Sequence, residues 1–253
     1  MSSFFQTSNG PSDFTSTFKA AITLQELSKP VQQHLVRVYI TLAGLAACLA
    51  VGAYLHVNQL FLFGGGFLSF LIGLFSVIGV VGLPDTPENK YLRYGLLYNF
   101  AFMEGLSIGP LIQYTLHVDY SGSLIVKACI ATSLIFVSFT LSALFSKRRE
   151  YIYLGGILGS ALSILGCVSI LNLFLRSKIL FSMELYLGLF MFCGYVLYDT
   201  QLILYRASKL GSRDVVGHSL DLFIDLVGIF VRVLIALTRN AEEKEDQKRR
   251  KRS

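Results

Sequence analysis

Residues 221–230 read "DLFIDLVGIF", two carboxylates four residues apart in an otherwise apolar run. A charged side chain at the centre of a bilayer costs about 2.5–3.5 kcal/mol even on the lenient insertion scale, so this run cannot turn its acids toward lipid. On a helix, His218, Asp221, Asp225, Gly228 and Arg232 follow spacings of three and four and line one polar stripe. Leu222, Phe223, Leu226, Val227 and Phe230 fill the remainder. Such a helix belongs inside a bundle or against a wet cavity.

The rest of the chain supplies the bundle. Of 253 residues, 53% are hydrophobic and only 15% charged, a balance foreign to water-soluble domains of this size. Apolar runs of roughly 20 residues, the length that crosses a ~30 Å hydrocarbon layer, occur near 38–57, 60–83, 95–117, 124–146, 151–173, 184–206 and 217–239. Loops this short and backbone without water dictate helices, and no alternating barrel pattern is present. The expected fold is therefore an all-α membrane protein, a seven-transmembrane-helix bundle over residues 36–239. It is flanked by a flexible segment, 1–35, and a basic, disordered tail, 240–253. The Ser/Thr-rich N-terminal segment lacks the apolar core and cleavage pattern of a removable signal peptide. Cys48, Cys129, Cys167 and Cys193 all fall inside spans, which predicts small buried apolar residues and not disulfides or metal ligands.

Basic residues collect on one side of the predicted bundle: Lys19, Lys29 and Arg37, then Lys90 and Arg93, Lys147 to Arg149, and Arg206, Lys209 and Arg213. The opposite loops hold only Arg176 and Lys178, with Lys127 at a span edge. This asymmetry predicts a cytosolic N-terminus. Seven crossings then send the C-terminus to the other side, although six basic residues follow Asn240. A full seventh crossing is favoured over a re-entrant hairpin, because 217–239 has no proline. For the tail, two readings stay open. It is a solvated charge run, or Arg250, Lys251 and Arg252 contact anionic lipid or form a retention address able to act only from the cytosol.

Asp199, in "GYVLYDTQLILY", is a further intramembrane acid. At 1.5 Å per residue it lies ~10 Å from the 206–217 edge, with Asp225 ~12 Å from the same edge and Glu104 ~14 Å from that side. Three acids thus share a layer. If Asp199 and Asp225 face each other, burial and mutual repulsion disfavour the doubly ionised pair, and one proton is shared. Holding it lets the carboxyls bond and clamp two helices; losing it leaves like charges that separate or recruit a cation. Oxygen ligands suit calcium, which makes Asp199 and Asp225 transient calcium ligands. Glu104, Asp221, His218 and Arg232 become pore-lining or cation-attracting groups. No other cofactor and no nucleic-acid partner is expected.

Glycines in "GGGFLSFLIGLFSVIGVVG", at 105 and 109, and at 155, 156 and 159 predict close helix packing. Pro110 predicts a kink in the third span.

"EGLSIGPLI" at 104–112, "SKRREYIYLGGILGSALS" at 146–163, "GYVLYDTQLI" at 194–203 and "HSLDLFIDLVGIFVRVLI" at 218–235 together resemble the Bax inhibitor family of membrane proteins. With "VQQHLVRVYITL" at 31–42 and "GAYLHV" at 52–57, the similarity runs from about residue 30 to 240 and is nearest to the plant-type members. The resemblance implies seven helices with the last surrounded by the other six, an endoplasmic-reticulum location, a pH-sensitive calcium leak, and suppression of stress-induced cell death. Cell-death regulators and lipid-modifying enzymes are the implied partners, besides membrane lipids. It also implies that Asp199 and Asp225 form the pH sensor, and leaves Asp221 without a role. Bacterial relatives latch the sensor with an arginine in the second span, but 60–83 has no basic residue; Arg232, about two turns from Asp225, is the substitute considered.

Two rival functions are weighed. An intramembrane aspartyl protease also uses two buried aspartates sharing a proton, yet Asp225 lacks the Gly-X-Gly-Asp context. A non-conducting scaffold could keep the acids for stability. No His-Glu-X-X-His, Walker or Gly-X-Ser-X-Gly motif is present, and His34, His56, His117 and His218 are too scattered to suggest a metal site, so the chain is not expected to be an enzyme.

Overall fold

The computed structural model describes residues 28–60, 66–145, 153–211 and 213–252. Among them are seven helices and no strands: α1 (Lys29–Val57), α2 (Phe67–Gly82), α3 (Lys90–Val118), α4 (Ser123–Phe145), α5 (Leu154–Leu175), α6 (Lys178–Tyr205) and α7 (Val215–Arg252). The predicted all-α bundle is thus observed. Five helices, α1 and α3 to α6, are long and apolar enough to cross a membrane. α2 is apolar but its 16 residues rise only ~24 Å, with 61–65 outside the described residues. α7 fails a plain apolar test because of the polar stripe that the sequence already displays.

Local chemistry sets the ends. Pro30 occupies the first turn of α1, where its missing N–H is no loss, so this helix begins at Lys29 and not at 36. Between α3 and α4, Asp119 accepts bonds from the Ser121 and Ser123 hydroxyls and from the Leu124 N–H at 3.0 Å, while Gly122 takes φ +68°. Those bonds hold the Asp119 carboxyl well below the usual carboxylate range and cap α4. α6 ends in a π-helical turn, Arg206–Leu210, closed by Gly211 at φ +66°.

α1 and α3 make the closest approach. A Cβ on Gly105 would strike the Leu49 carbonyl oxygen, and one on Gly52 the Phe102 carbonyl oxygen. Backbone meets backbone there, as small residues permit in lipid. Gly155 is packed under Tyr198, but Gly156 and Gly159 face open space, so the expectation that every glycine of α5 serves close packing is corrected. α3 continues through Pro110 as one helix.

α7 packs on α6, α1, α4 and α3, with slight contact to α2, whereas α5 packs on α6 alone among its principal neighbours. The last helix is therefore central but not ringed by all six others. α5 is peripheral because it is apolar all round and turns Ile157, Ile164, Leu173 and Phe174 outward. The cysteines also divide: Cys193 is buried and Cys48 half-buried, but Cys129 and Cys167 are exposed on the outer, membrane-facing helices. All four are free.

α7 is one unbroken helix of 38 residues, which has no break for a re-entrant hairpin. Residues 240–252, expected to be disordered, continue it. Ala241 to Lys251 are strong helix formers with Arg239–Glu243 and Lys248–Glu245 pairs at helical spacing. The Tyr114 hydroxyl donates to Glu242, and Arg239 donates to Ser182 at 3.0 Å, tying this extension to the far ends of α3 and α6. Arg250 and Lys251 are exposed at that end; the side chain of Arg252 lies outside the described residues.

Candidate functional site

Asp199 and Gln201, two positions apart on α6, point different ways because each residue turns the helix ~100°. Gln201 is buried and donates to the Ala143 carbonyl, anchoring α6 to α4. Asp199 instead turns toward α7, where its carboxyl comes within hydrogen-bonding reach of Asp225. Asp225 is 3% exposed, Asp199 half-buried. Asp225 Oδ2 is buried and receives no donor from the described residues. Two facing carboxylates have only acceptors to offer each other, so a bond between them requires a proton on one.

The remaining predicted residues separate into distinct surroundings. Asp221, one turn before Asp225, lines a cavity of about 350 Å³ with Arg93, Arg206, Asp214 and His218. Arg206 acts on both Asp221 and Asp199 as an attractive charge. Glu104 is half-buried on α3 and does not figure in the charge interactions of Asp199 and Asp225; the third acid that acts on both is Asp221.

Arg232 turns to α6 and to its own helix. Its guanidinium lies 4.4 Å over the Phe192 ring, Nη1 donates to the Gly228 carbonyl at 3.1 Å, and Gly188 provides the space beside it. Glu184 supplies the nearest opposite charge. Two turns of helix keep it from Asp225, and a side chain of this length finds α6 first.

Two polar links were not foreseen. His34 Nε2 and His218 Nδ1 are 2.9 Å apart, one ring donating to the other, with both rings buried between α1 and α7. The histidines judged scattered along the chain thus include a contacting pair, although among the described residues no group of three or more ligands could hold a metal. Arg93, counted only as a loop charge, is 4% exposed and forms a fork on Asp214, Nη1 to Oδ1 at 2.9 Å and Nη2 to Oδ2 at 2.6 Å. Its Nη1 also reaches Asp85 at 2.9 Å. Burial alone opposes charge on Asp214, but the bonds from Arg93 and from the Gly217 N–H prevail and hold its carboxyl below the ordinary value. One arginine therefore joins the α2–α3 loop to the entry of α7. Helical spacing was the signal: Arg93 continues the inward stripe Leu97, Ala101 and Gly105, and His34 lies on the stripe Val31, Leu35, Val38 and Leu42.

The profile of the family described as "Inhibitor of apoptosis-promoting Bax1" matches residues 31–242, all of α2 to α6 and most of α1 and α7. The chain belongs to the Bax inhibitor family. Bax inhibitor 1 of Oryza sativa subsp. japonica is 43% identical over 228 residues, 90% of this chain and 88% of that protein. Probable Bax inhibitor 1 of Paralichthys olivaceus is 41% identical over 237 residues, covering 94% and 97%. Bax inhibitor 1 of Homo sapiens is 39% identical over 232 residues, covering 92% and 96%. Plant and animal relatives match at nearly full length, so the aspartate pair, the His34–His218 contact and the Arg93 fork all lie within the shared Bax inhibitor region. The chain is a multi-pass membrane protein of this family.

Proposed function

We propose that this chain is a pH-sensitive calcium leak of the endoplasmic-reticulum membrane that suppresses stress-induced cell death, with Asp199 and Asp225 as its proton-sharing gate. The single observation that supports the gate most is the facing of two carboxyls with Asp225 buried and, among the described residues, no ion pair to either. While one proton is held, the pair bonds α6 to α7. When that proton leaves, two like charges stand in a low-dielectric site and favour separation or a divalent cation between them. Asp221, in the cavity above the pair, attracts cations toward it, and Arg206 offsets that attraction. Calcium is the permeant ion, bound in passing by Asp199 and Asp225.

The N-terminus is assigned to the cytosol on the strength of the basic loops, which puts the Arg93 fork on the cytosolic face and the end of α7 on the lumenal one. With that orientation Arg250, Lys251 and Arg252 do not serve as a cytosolic retention address. Suppression of cell death comes to this chain from the name of the family and of its relatives.

Purified protein in liposomes tests the reading. Calcium efflux should depend on pH in the wild type and lose that dependence in Asp225→Asn; an unchanged pH profile removes the gate from these residues. The burial of Asp225 would serve a non-conducting scaffold for cell-death regulators or lipid-modifying enzymes equally well, and absence of any flux from the purified protein selects that reading.

A further inference from the structure

α7 has a second face. Phe223, Leu226 and Phe230 follow spacings of three and four, about half a turn around the helix from the stripe that carries Asp221 and Asp225. They form one wall of an apolar cleft of about 420 Å³ bounded by α1, α3 and α4. This is within the ~300–1,000 Å³ range of small-molecule sites. The opposite wall is low because α1 places Ala46, Ala50 and Ala53 at i, i+4 and i+7 along it. A sequence with larger residues at those three positions would close the gap.

The cleft opens sideways. α1 and α4 are not among the principal contacting pairs of helices, and beside the opening Val51, Val126 and Ile130 are each more than half exposed. Those residues belong to the two long apolar helices that face the bilayer, so the cleft is continuous with the lipid-covered surface. Its deep end, at Ala46, lies eleven residues from the end of α1, ~16 Å at helical rise, which is hydrocarbon depth. Tyr54, Thr132 and Ser133 are the hydroxyl-bearing residues of a lining that is otherwise mostly hydrocarbon, and an unfilled apolar gap loses dispersion contacts along its walls.

We propose that this cleft is a binding site for one acyl chain of a bilayer phospholipid, which enters between α1 and α4 and rests on the face of α7 opposite the aspartate pair. The site itself does not depend on the leak function. It gives the membrane direct contact with the central helix through Leu226 and Phe230, beside the buried Phe223, which stacks edge-on against Phe100 of α3 with ring centroids 5.7 Å apart.

Nanodiscs doped with a phosphatidylcholine carrying a diazirine halfway along one acyl chain test it, with adducts mapped by mass spectrometry. Adducts are expected on Leu226 and Phe230 of α7, as well as on the outer face of α5. Ala50→Phe, which fills the cleft, should remove the α7 adducts and leave those at Ile157 and Phe174 unchanged; the latter also report that the bundle is intact. In detergent, added phosphatidylcholine should raise the melting temperature of the wild type more than that of Ala50→Phe. Labelling confined to outer faces in the wild type overturns the site. So does α7 labelling that Ala50→Phe leaves intact in a folded bundle. Displacement of the α7 adducts by cholesterol but not by unlabelled phosphatidylcholine overturns the acyl-chain assignment.

Discussion

Asp214 and Asp225 stand eleven residues apart, one at the entry to α7 and the other well inside it, and they meet opposite company. Asp214 receives a guanidinium fork and a backbone N–H, so it is a satisfied anion. Asp225 meets another carboxyl, and its Oδ2 receives no donor from the described residues. The first arrangement fixes a loop to a helix whatever the pH near neutrality. The second is complete only with a proton, so its bond strength follows pH. A rigid link and a responsive one are thus built from the same side chain by the choice of partner.

Removing the rigid link should have the largest effect. Arg93→Ala leaves Asp214 unpaired, frees Asp85 and abandons the Val80 carbonyl that Nε approaches at 3.3 Å. Loss of one partner of a largely buried pair costs about 3–5 kcal/mol. A thermal melt of the protein in detergent should fall accordingly, with Arg93→Lys intermediate because an ammonium cannot form the fork.

Acid should weaken the same link more gently. The folded Asp214 carboxyl titrates below its unfolded value of about 4, so its contribution is fully present above that pH and is lost as pH falls toward the folded value. Melting temperature measured from pH 6 down to pH 3 should therefore drop more in the wild type than in Asp214→Asn, which carries no titrating group there.

The responsive link should matter least to stability. In Asp225→Asn an amide donor replaces the shared proton, and a net change within about 1 kcal/mol is expected in the melt at pH 7. A drop as large as that of Arg93→Ala would erase the contrast between the two carboxylates.

Much of this was legible from spacing. Periods of three and four placed His218, Asp221, Asp225 and Arg232 on one stripe, and counting rise along two antiparallel helices put Asp199 level with Asp225. Rotation about each axis was not legible, and Glu104, placed by rise alone, does not figure in the charge interactions of the pair. Partners distant in sequence were hidden as well: His34 and His218 are 184 residues apart, and only the packing of α1 on α7 joins them. Charge alone suggests a solvated coil for the tail, whereas helix propensity and paired charges carry α7 on to Arg252. The cleft beside Ala46, Ala50 and Ala53 escaped notice because alanine in a membrane helix ordinarily signals close packing.

Infrared difference spectroscopy of the protonated carboxyl stretch, on reconstituted protein titrated through neutral pH, reaches the central claim directly. If Asp199 and Asp225 hold one proton between them, Asp199→Asn and Asp225→Asn must each remove the same titrating band, and the double variant must remove nothing further. Separate bands that disappear independently, or no carboxyl band altered by either substitution, would contradict a shared proton.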